Sequence, residues 1–169
     1  YLIMGAGSKP SHCGVEGVAE HAFTLWSMDD SKSIRKHIEN CLQEARMTDD
    51  PAKRKELLSF AVAGGGFTGV EMVGELIEWL DEYSKEYNIP RNEIEIYNFE
   101  GLDKILPNLS DELVDKAMNY MRKKGVNVET GEFVDRIEEN KLVLNDGIEV
   151  KARTIIWTCG VQAADFAAN

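Results

Sequence analysis

Several features that would indicate other classes of protein are scarce in this chain of 169 residues. Its three cysteines, Cys13, Cys41 and Cys159, stand far apart and form no C-x-x-C pair, so neither a disulfide framework nor a zinc site is indicated. The three histidines show no metal-ligand spacing either, and we predict no metal site. Such sparse cysteine usage is typical of a reducing compartment, and we expect a cytoplasmic location.

Long apolar runs and an excess of basic charge are also missing. No apolar stretch approaches the roughly 20 residues that a membrane-spanning helix needs. With 19 basic and 30 acidic residues, the chain has a formal net charge of −11, which repels nucleic acid and anionic lipid. We therefore exclude both as main partners. Because 43% of the residues are hydrophobic, we expect a globular domain with a real core.

One glycine-rich stretch stands between an apolar run and a helical pattern. The apolar run is Phe60–Ala63, the turn is Gly64–Gly69 (GGGFTG), and the helical pattern follows at once. A G-x-G-x-x-G turn in this context predicts a dinucleotide site, because the free N–H groups and positive dipole end of the helix face the pyrophosphate. Gly64 permits the sharp turn, Gly66 lets the pyrophosphate approach, and Gly69 lets the helix pack closely. The alternative is the related turn of another doubly wound protein, such as a nucleoside-binding methyltransferase.

Residues beyond the turn extend this prediction. Glu100 ends the second predicted strand, where a carboxylate accepts hydrogen bonds from the adenosine ribose and repels a 2′-phosphate, so NAD is favoured over NADP. Glu71, in the first helical turn, lies either beside the nicotinamide or in a solvated acidic stripe. Gly160 and Val161 end a later strand, at the edge where open α/β sheets bind ligands. Cys159 before them is interpreted as a small core residue rather than a nucleophile.

Hydrophobic periodicity predicts three long helices. The first covers about 31–46, the second follows the glycine turn, and the third lies between Ser110 and Gly125. Ser31 or Ser33 is the predicted N-cap of the first. The second has an apolar arc of about half its circumference, which predicts burial against more than the sheet. Any part of that arc left exposed would favour self-association of the chain.

Strand patterns alternate with these helices. The segment 132–150 loses the helical period and predicts a small antiparallel meander. The predicted fold is therefore α/β, a Rossmann-like parallel sheet with helices on both faces plus a small antiparallel β-meander. The strands of the parallel sheet are predicted at 60–63, 94–99, 126–129 and 154–158.

Four segments of the chain, in this order, resemble the type II NADH dehydrogenases, which belong to the flavoproteins with two dinucleotide-binding domains. The glycine segment GGGFTGVEMVGEL is similar to the NAD-binding signature of that family. One departure is Ala6, where the family usually has threonine. The four segments are YLIMGAGS (1–8), GGGFTGVEMVGEL (64–76), EGLDKILP (100–107) and TIIWTCGV (154–161).

The resemblance implies that the chain is an NAD domain inserted into an FAD domain, and hence a fragment of a longer protein. Residues 1–30 would be an FAD-domain remnant and linker, 31–160 the NAD(P)-binding domain, and 161–169 the start of the return. Residues 5–20, rich in Gly, Ser and Pro, are predicted to be loop. The expected cofactor-binding residues, with pyrophosphate, ribose and nicotinamide contacts, are Gly64, Gly65, Gly66, Phe67, Thr68, Gly69, Glu71, Glu100, Gly160 and Val161.

The resemblance also implies a reaction for the parent protein. The parent would pass a hydride from NADH to FAD and electrons to a quinone-type acceptor, as a peripheral protein on the cytoplasmic face of the membrane. The glycine motif and Gly-Asp segment of the FAD domain are absent here. The chain is therefore expected to bind NADH and the parent's FAD domain, to hold no catalytic residue and not to turn over. Alternatives are an NADH oxidase, a coenzyme A-disulfide or ferredoxin reductase, or a non-catalytic nucleotide-binding module.

Overall fold

A computed structural model describes residues 1, 3 and 5–168. Residues 2, 4 and 169, which belong to the predicted flanking segments, lie outside that description. The helices are α1 Val18–His21, α2 Met28–Met47, α3 Pro51–Leu57, α4 Phe67–Glu86, α5 Asp111–Lys123 and α6 Asp165–Ala168, with a 3₁₀ turn at Arg91–Glu93. The strands are β1 Ser8–Pro10, β2 Phe23–Thr24, β3 Ser59–Ala63, β4 Glu95–Glu100, β5 Val126–Thr130, β6 Val134–Glu138, β7 Lys141–Leu144, β8 Glu149–Lys151, β9 Thr154–Trp157 and β10 Val161–Ala163.

The centre of the fold is a five-stranded parallel sheet in the order β2-β9-β3-β4-β5. The central strands β3 and β9 are buried along their whole length, which explains why their sequences are nearly continuous apolar runs. Since all five strands run in one direction, their carboxyl ends meet at one edge of the sheet. The predicted glycine turn, Glu100 and Gly160 all follow strands at this edge, so the fold brings them to the same side of the molecule.

The long helices cover one face of the sheet. Phe60 and Val62 point to this face and join a core that contains the apolar sides of α2, α4 and α5. On α4 the predicted apolar arc is buried, with Leu76, Ile77 and Leu80 fully excluded from solvent. The arc thus packs against α2 as well as the sheet, as its width predicted, and self-association of the chain stays a prediction.

The antiparallel meander covers the opposite face. Ala61 and Ala63 point to this side, where they pack with Ile137, Leu142 and Ile155. Strands β6, β7 and β8 form the predicted three-stranded meander, so the α/β class and its antiparallel addition are confirmed. Helices do contribute to both faces, but unequally, since the described helical residue in this second core is Val18 of the four-residue α1.

The amino-terminal region is more ordered than a loop. The prediction of loop over residues 5–20 is wrong, because β1 and most of α1 lie within it and β1 pairs antiparallel with β10. Strand β2 extends the parallel sheet beside β9, so residues 18–24 belong to the same packing unit as the rest of the sheet. Elements this short, in a segment rich in glycine and serine, produce no hydrophobic periodicity in the sequence and were therefore not predicted.

Helix α2 begins three residues before the predicted start. Its cap is Ser27, not Ser31 or Ser33: the Asp30 N–H donates to Ser27 Oγ (3.1 Å), and the Ser27 N–H donates to the Asp30 carboxylate (2.7 Å). This reciprocal capping box satisfies two N–H groups that the first helical turn leaves free. The hydrogen bond from the Ser27 N–H lowers the pKa of the Asp30 carboxyl below its ordinary value.

Candidate functional site

The inner side of the glycine turn is closed by protein atoms. Gly64 has a positive φ of 113°, and a Cβ there would lie 2.5 Å from Thr158 Oγ1. A Cβ on Gly69 would collide with the carbonyl oxygen of Gly64, because the first turn of α4 packs directly on the backbone of the loop. Both positions therefore require glycine for the chain to pass from β3 into α4.

Gly65 brings the turn into contact with Glu100. The Gly65 N–H donates to Glu100 Oε2 (2.6 Å), and the Leu102 N–H donates to Oε1 (2.8 Å). A Cβ on Gly65 would lie 2.8 Å from both Glu100 Cβ and Ile105 Cγ2, so the absence of a side chain allows this approach. The carboxylate is held in one orientation, and each oxygen keeps a free lone pair for a ligand hydroxyl.

The outer side of the same turn is open. A Cβ on Gly66 would have no heavy atom within 4 Å, and Phe67 is 53% exposed. Among the described residues, the N–H groups of residues 66–68 donate to no protein acceptor, as expected for the first turn of a helix. These groups lie at the positive end of the 20-residue helix α4. The arrangement provides donors for an anion without a side chain in the way.

Two polar residues beneath the turn were not predicted. Asn98, fully buried in β4, donates through Nδ2 to the carbonyl oxygens of Val62 (3.2 Å) and Gly64 (3.0 Å). Thr158 donates through Oγ1 to the Ala63 carbonyl oxygen (2.8 Å) and thereby ties the end of β9 to the end of β3. The signal in the sequence was an asparagine near the end of the strand segment IEIYNF, next to Phe99. Together they hold the carbonyl groups that precede the open N–H groups.

A cavity of about 310 Å³ lies beside Glu100 on the meander side. Its apolar walls include Phe99, Phe133 and Trp157, and its polar rim includes Glu100 and Glu132. Phe133 packs on Gly101, where a Cβ would collide with the ring. An apolar hollow with a few fixed polar groups is the usual character of a small-molecule site.

Of the predicted binding residues, Glu100 lines this cavity, whereas residues 64–69, Glu71, Gly160 and Val161 do not. Glu71 is exposed and lines a separate hollow of about 370 Å³ between α2 and α4, together with Thr68 and Trp79. Gly160 connects β9 to β10, and Val161 does not end a strand as predicted but begins β10, with 65% of its surface exposed. The structure thus brings residues 64–69 and Glu100 together and places the other three at the periphery.

Cys159 follows β9 and is half-buried at the wall of the cavity beside Glu100. Burial, together with the negative charge of Glu100, raises the pKa of its thiol to about 12. A thiol with so high a pKa is protonated near neutral pH, so its sulfur attacks only as the proton leaves, and the interpretation of Cys159 as a core residue stays a prediction. Cys41 is also buried, and burial raises the pKa of its thiol to about 11.

Residues 1, 3 and 5–168 contain neither a group of potential metal ligands nor a helix suited to a bilayer. No cluster of three or more His, Cys, Asp or Glu side chains in that part of the chain could hold a metal ion. None of the helices in the same part has the length and hydrophobicity to cross a bilayer.

Comparison with known proteins identifies the family of the chain. The family model of the pyridine nucleotide-disulphide oxidoreductases matches residues 1–169. A probable NADH dehydrogenase of Dictyostelium discoideum is 32% identical over 163 residues, which are 95% of this chain and 36% of that protein. The type II NADH:quinone oxidoreductase of Staphylococcus saprophyticus is 30% identical over 166 residues, covering 96% of this chain and 41% of that protein.

Solved structures give the same result. The structure of NDH2 from Plasmodium falciparum in complex with NADH is similar over 94% of this chain and 34% of the NDH2 chain, with a TM-score of 0.89 and 25% identity. The CoADR-RHD of Bacillus anthracis matches 92% of the chain with a TM-score of 0.68. The chain spans about two fifths or less of the length of these relatives. By its fold, its glycine turn and a match along its whole length, the chain belongs to the pyridine nucleotide-disulphide oxidoreductase family.

Proposed function

We propose that this chain is the NADH-binding domain of an FAD-dependent NADH dehydrogenase whose acceptor is a quinone. The main support is one geometric feature: Gly66 leaves the helix end open, while the Gly65 N–H fixes Glu100 beside it. The relatives named NADH dehydrogenase and NADH:quinone oxidoreductase support the reaction class. The neighbouring structure that was solved with NADH supports the nucleotide.

In this proposal, the chain binds the two ends of the ADP moiety by different means. The free N–H groups of residues 66–68 donate to the pyrophosphate, whose charge the dipole of α4 stabilises. The free lone pairs of Glu100 accept hydrogen bonds from the ribose hydroxyls. A 2′-phosphate would approach that same carboxylate, and two negative charges at contact distance repel each other, so NADPH binds more weakly than NADH.

The nicotinamide half extends from the turn along α4. Thr68 belongs both to the turn and to the hollow that Glu71 lines, so a dinucleotide anchored at the turn can continue into this hollow. We propose that Glu71, Gly160 and Val161 surround the nicotinamide end, where NADH gives up its hydride. This chain then positions the nicotinamide and contributes no group that moves a proton.

FAD belongs to the remainder of the parent in this proposal. The residues described here contain one strand–glycine turn–helix unit, which the proposal assigns to NADH, so they do not fit a second such cofactor. FAD, bound elsewhere in the parent, supplies the two-electron acceptor for the hydride. The proposed parts are unchanged: 1–30 and 161–169 connect to the FAD domain, and 31–160 binds NADH. The antiparallel pairing of β1 with β10 supports this division, because it joins the two flanking segments.

The proposal involves the membrane only because the proposed acceptor is a quinone. A quinone lies in the bilayer, so the proposed parent works as a peripheral protein on the cytoplasmic face and reaches the quinone through parts outside this chain. The remaining alternatives, another flavin-dependent NAD(P)H oxidoreductase or a non-catalytic nucleotide-binding module, differ in the acceptor or in the lack of one. A flavin spectrum and NADH oxidation with a soluble quinone by the full-length parent distinguish them.

Calorimetric titration of the chain with NADH and NADPH tests the nucleotide site. We expect NADH to bind at least tenfold more tightly, which corresponds to about 1.4 kcal/mol. Glu100→Gln is expected to reduce this preference to less than threefold, because it removes the charge that repels the 2′-phosphate. The matched control is Glu129→Gln, since Glu129 is exposed on the neighbouring strand β5 and its loss should leave both affinities unchanged. Equal affinities of the unmodified chain for the two nucleotides would contradict the role of Glu100.

A further inference from the structure

The pairing of β1 with β10 places the segment that follows β1 against the end of β9. The Ser11 N–H donates to the Gly160 carbonyl oxygen (3.2 Å). The indole Nε1 of Trp157 donates to the carbonyl oxygens of Ser11 (2.8 Å) and Cys159 (3.1 Å). These bonds fix two chain segments that are far apart in sequence, and each segment carries a cysteine.

Cys13 lies directly over the backbone of Cys159. Its Sγ is 3.5 Å from the Cys159 carbonyl oxygen, and standard peptide geometry then keeps this sulfur within about 6 Å of the Cys159 Cα. Cys13 is exposed and sits in a positive-φ turn (φ 53°), where its N–H donates to Ser11 Oγ (3.2 Å). The side chain of Cys13 is thus both accessible to solvent and close to the second cysteine.

Cys159 contributes to the wall of a cavity that Cys13 also borders. Both cysteines line the cavity of about 310 Å³ that Glu100 borders, and the proximity of Cys13 contributes to the raised pKa of the Cys159 thiol. Cys41 differs from both, because it lies on the buried face of α2 with its sulfur beside His37 Nε2 (3.4 Å). The chain therefore has two cysteines at the wall of one cavity and a third that is buried elsewhere.

We propose that Cys13 and Cys159 are a thiol pair that peroxide converts reversibly into a disulfide, and that this bond narrows the cavity beside Glu100. The exposed thiol reacts first, and the half-buried thiol resolves the product, which is the usual division between an attacking and a resolving cysteine. The effect on NADH rests on the function proposed above, whereas formation of the disulfide does not.

The chemistry balances with hydrogen peroxide as the oxidant. Cys13, as the thiolate, attacks one peroxide oxygen, so that the O–O bond breaks and a sulfenic acid and hydroxide form, the latter becoming water with the thiol's own proton. The Cys159 sulfur then attacks the sulfenic sulfur, the S–S bond forms, and the hydroxyl leaves as a second water with the Cys159 proton. Two thiols and one peroxide give one disulfide and two waters, and a dithiol reductant reverses the change.

The disulfide is tested on the 169-residue chain without any nucleotide. After treatment with a slight excess of hydrogen peroxide, we expect the three free thiols to fall to one, and non-reducing peptide mapping to show a Cys13–Cys159 link. Dithiothreitol should restore all three thiols. Cys41→Ser is the matched control and should form the same link, whereas Cys13→Ser should form none. A Cys13 that proceeds to sulfinic acid, or that links to a second molecule, would overturn the proposal.

A second experiment tests whether narrowing the cavity beside Glu100, the proposed ribose acceptor, weakens NADH binding. NADH titration of the oxidised and reduced chain should show at least a tenfold loss of affinity on oxidation, and Cys13→Ser should show none. Equal NADH affinity of the two forms would overturn the claim that the disulfide narrows the cavity. If the link forms but neither form binds NADH, the proposed function fails while the thiol pair is supported, so the two failures are distinguishable.

Discussion

The two sides of the glycine turn are made of the same residue type but meet different surroundings. On the inner side, Cβ atoms at Gly64, Gly65 and Gly69 would lie against Thr158, Glu100 and the backbone of the turn. On the outer side, a Cβ at Gly66 would meet no protein atom within 4 Å.

This difference distinguishes two reasons why a position in the turn is occupied by glycine. The inner glycines are needed by the fold, because protein atoms already occupy the space of their missing side chains. The protein gives no reason of its own for Gly66, whose φ of −73° suits any residue. A ligand held by the adjacent N–H groups, as proposed above, would supply the reason for glycine at this position. Substitutions on the inner side should therefore affect stability, and those on the outer side should affect binding.

The largest effect is expected from Gly69→Ala on the inner side. The new methyl group would overlap the Gly64 carbonyl oxygen, and both atoms belong to backbone that cannot move independently. We expect the free energy of unfolding to fall by about 3 kcal/mol, the cost of overpacking a site that cannot relax. Urea denaturation followed by circular dichroism measures the change.

Gly74→Ala is the matched control for this substitution. Gly74 lies on the same helix α4, and a Cβ there would meet nothing within 4 Å. Alanine favours a helix interior over glycine, so we expect this variant to gain about 0.5–1 kcal/mol. The two glycine-to-alanine changes on one helix should thus have opposite signs. A stable Gly69→Ala variant would show that the helix can move away from the turn.

A smaller effect, on binding alone, is expected from Gly66→Val. Its side chain would project into the space in front of the free N–H groups, so we expect NADH affinity to fall at least 30-fold, about 2 kcal/mol. Stability should change by less than about 1 kcal/mol, the difference between glycine and valine at an N-cap. Calorimetry and urea denaturation together measure both quantities. Retained affinity in a folded Gly66→Val variant would mean that the turn serves only the fold.

The sequence was sufficient to predict the turn because its information is local. A strand, three spaced glycines and an amphipathic helix follow one another within residues 60–83, and each pattern has a direct structural reason. The same holds for the meander, whose alternation and turn residues lie within 132–150. The position of Glu100 beside Gly65 also follows from local order, because parallel neighbouring strands end at the same edge.

The contacts between distant segments could not be predicted in this way. Nothing near Gly64 in the sequence indicates that Thr158 would occupy the space of its missing side chain. The pairing of β1 with β10, which brings Cys13 to Cys159, depends on two three-residue strands without a periodic signal. Asn98 was missed for a similar reason, since its partners are backbone carbonyl groups of another strand.

Asn98 provides the smallest of the predicted effects and refines the comparison of the two sides. Its amide donates to the Gly64 carbonyl oxygen, the atom that a Gly69 side chain would strike, so Asn98 supports the inner side from below. Asn98→Leu keeps the size of the side chain but leaves two buried carbonyl oxygens with one donor fewer. It also removes Oδ1, which accepts no hydrogen bond from the residues that the structure describes. Since this gain offsets part of the loss, we expect a net cost of about 1 kcal/mol in unfolding free energy and a loss of NADH affinity of less than tenfold.

Asn127→Leu is the control: Asn127 is exposed on β5, and its longer hydrogen bond to the Ile96 carbonyl oxygen (3.4 Å) should contribute less than about 0.5 kcal/mol. Equal stabilities of the two variants would show that the amide of Asn98 fills space without supporting the turn.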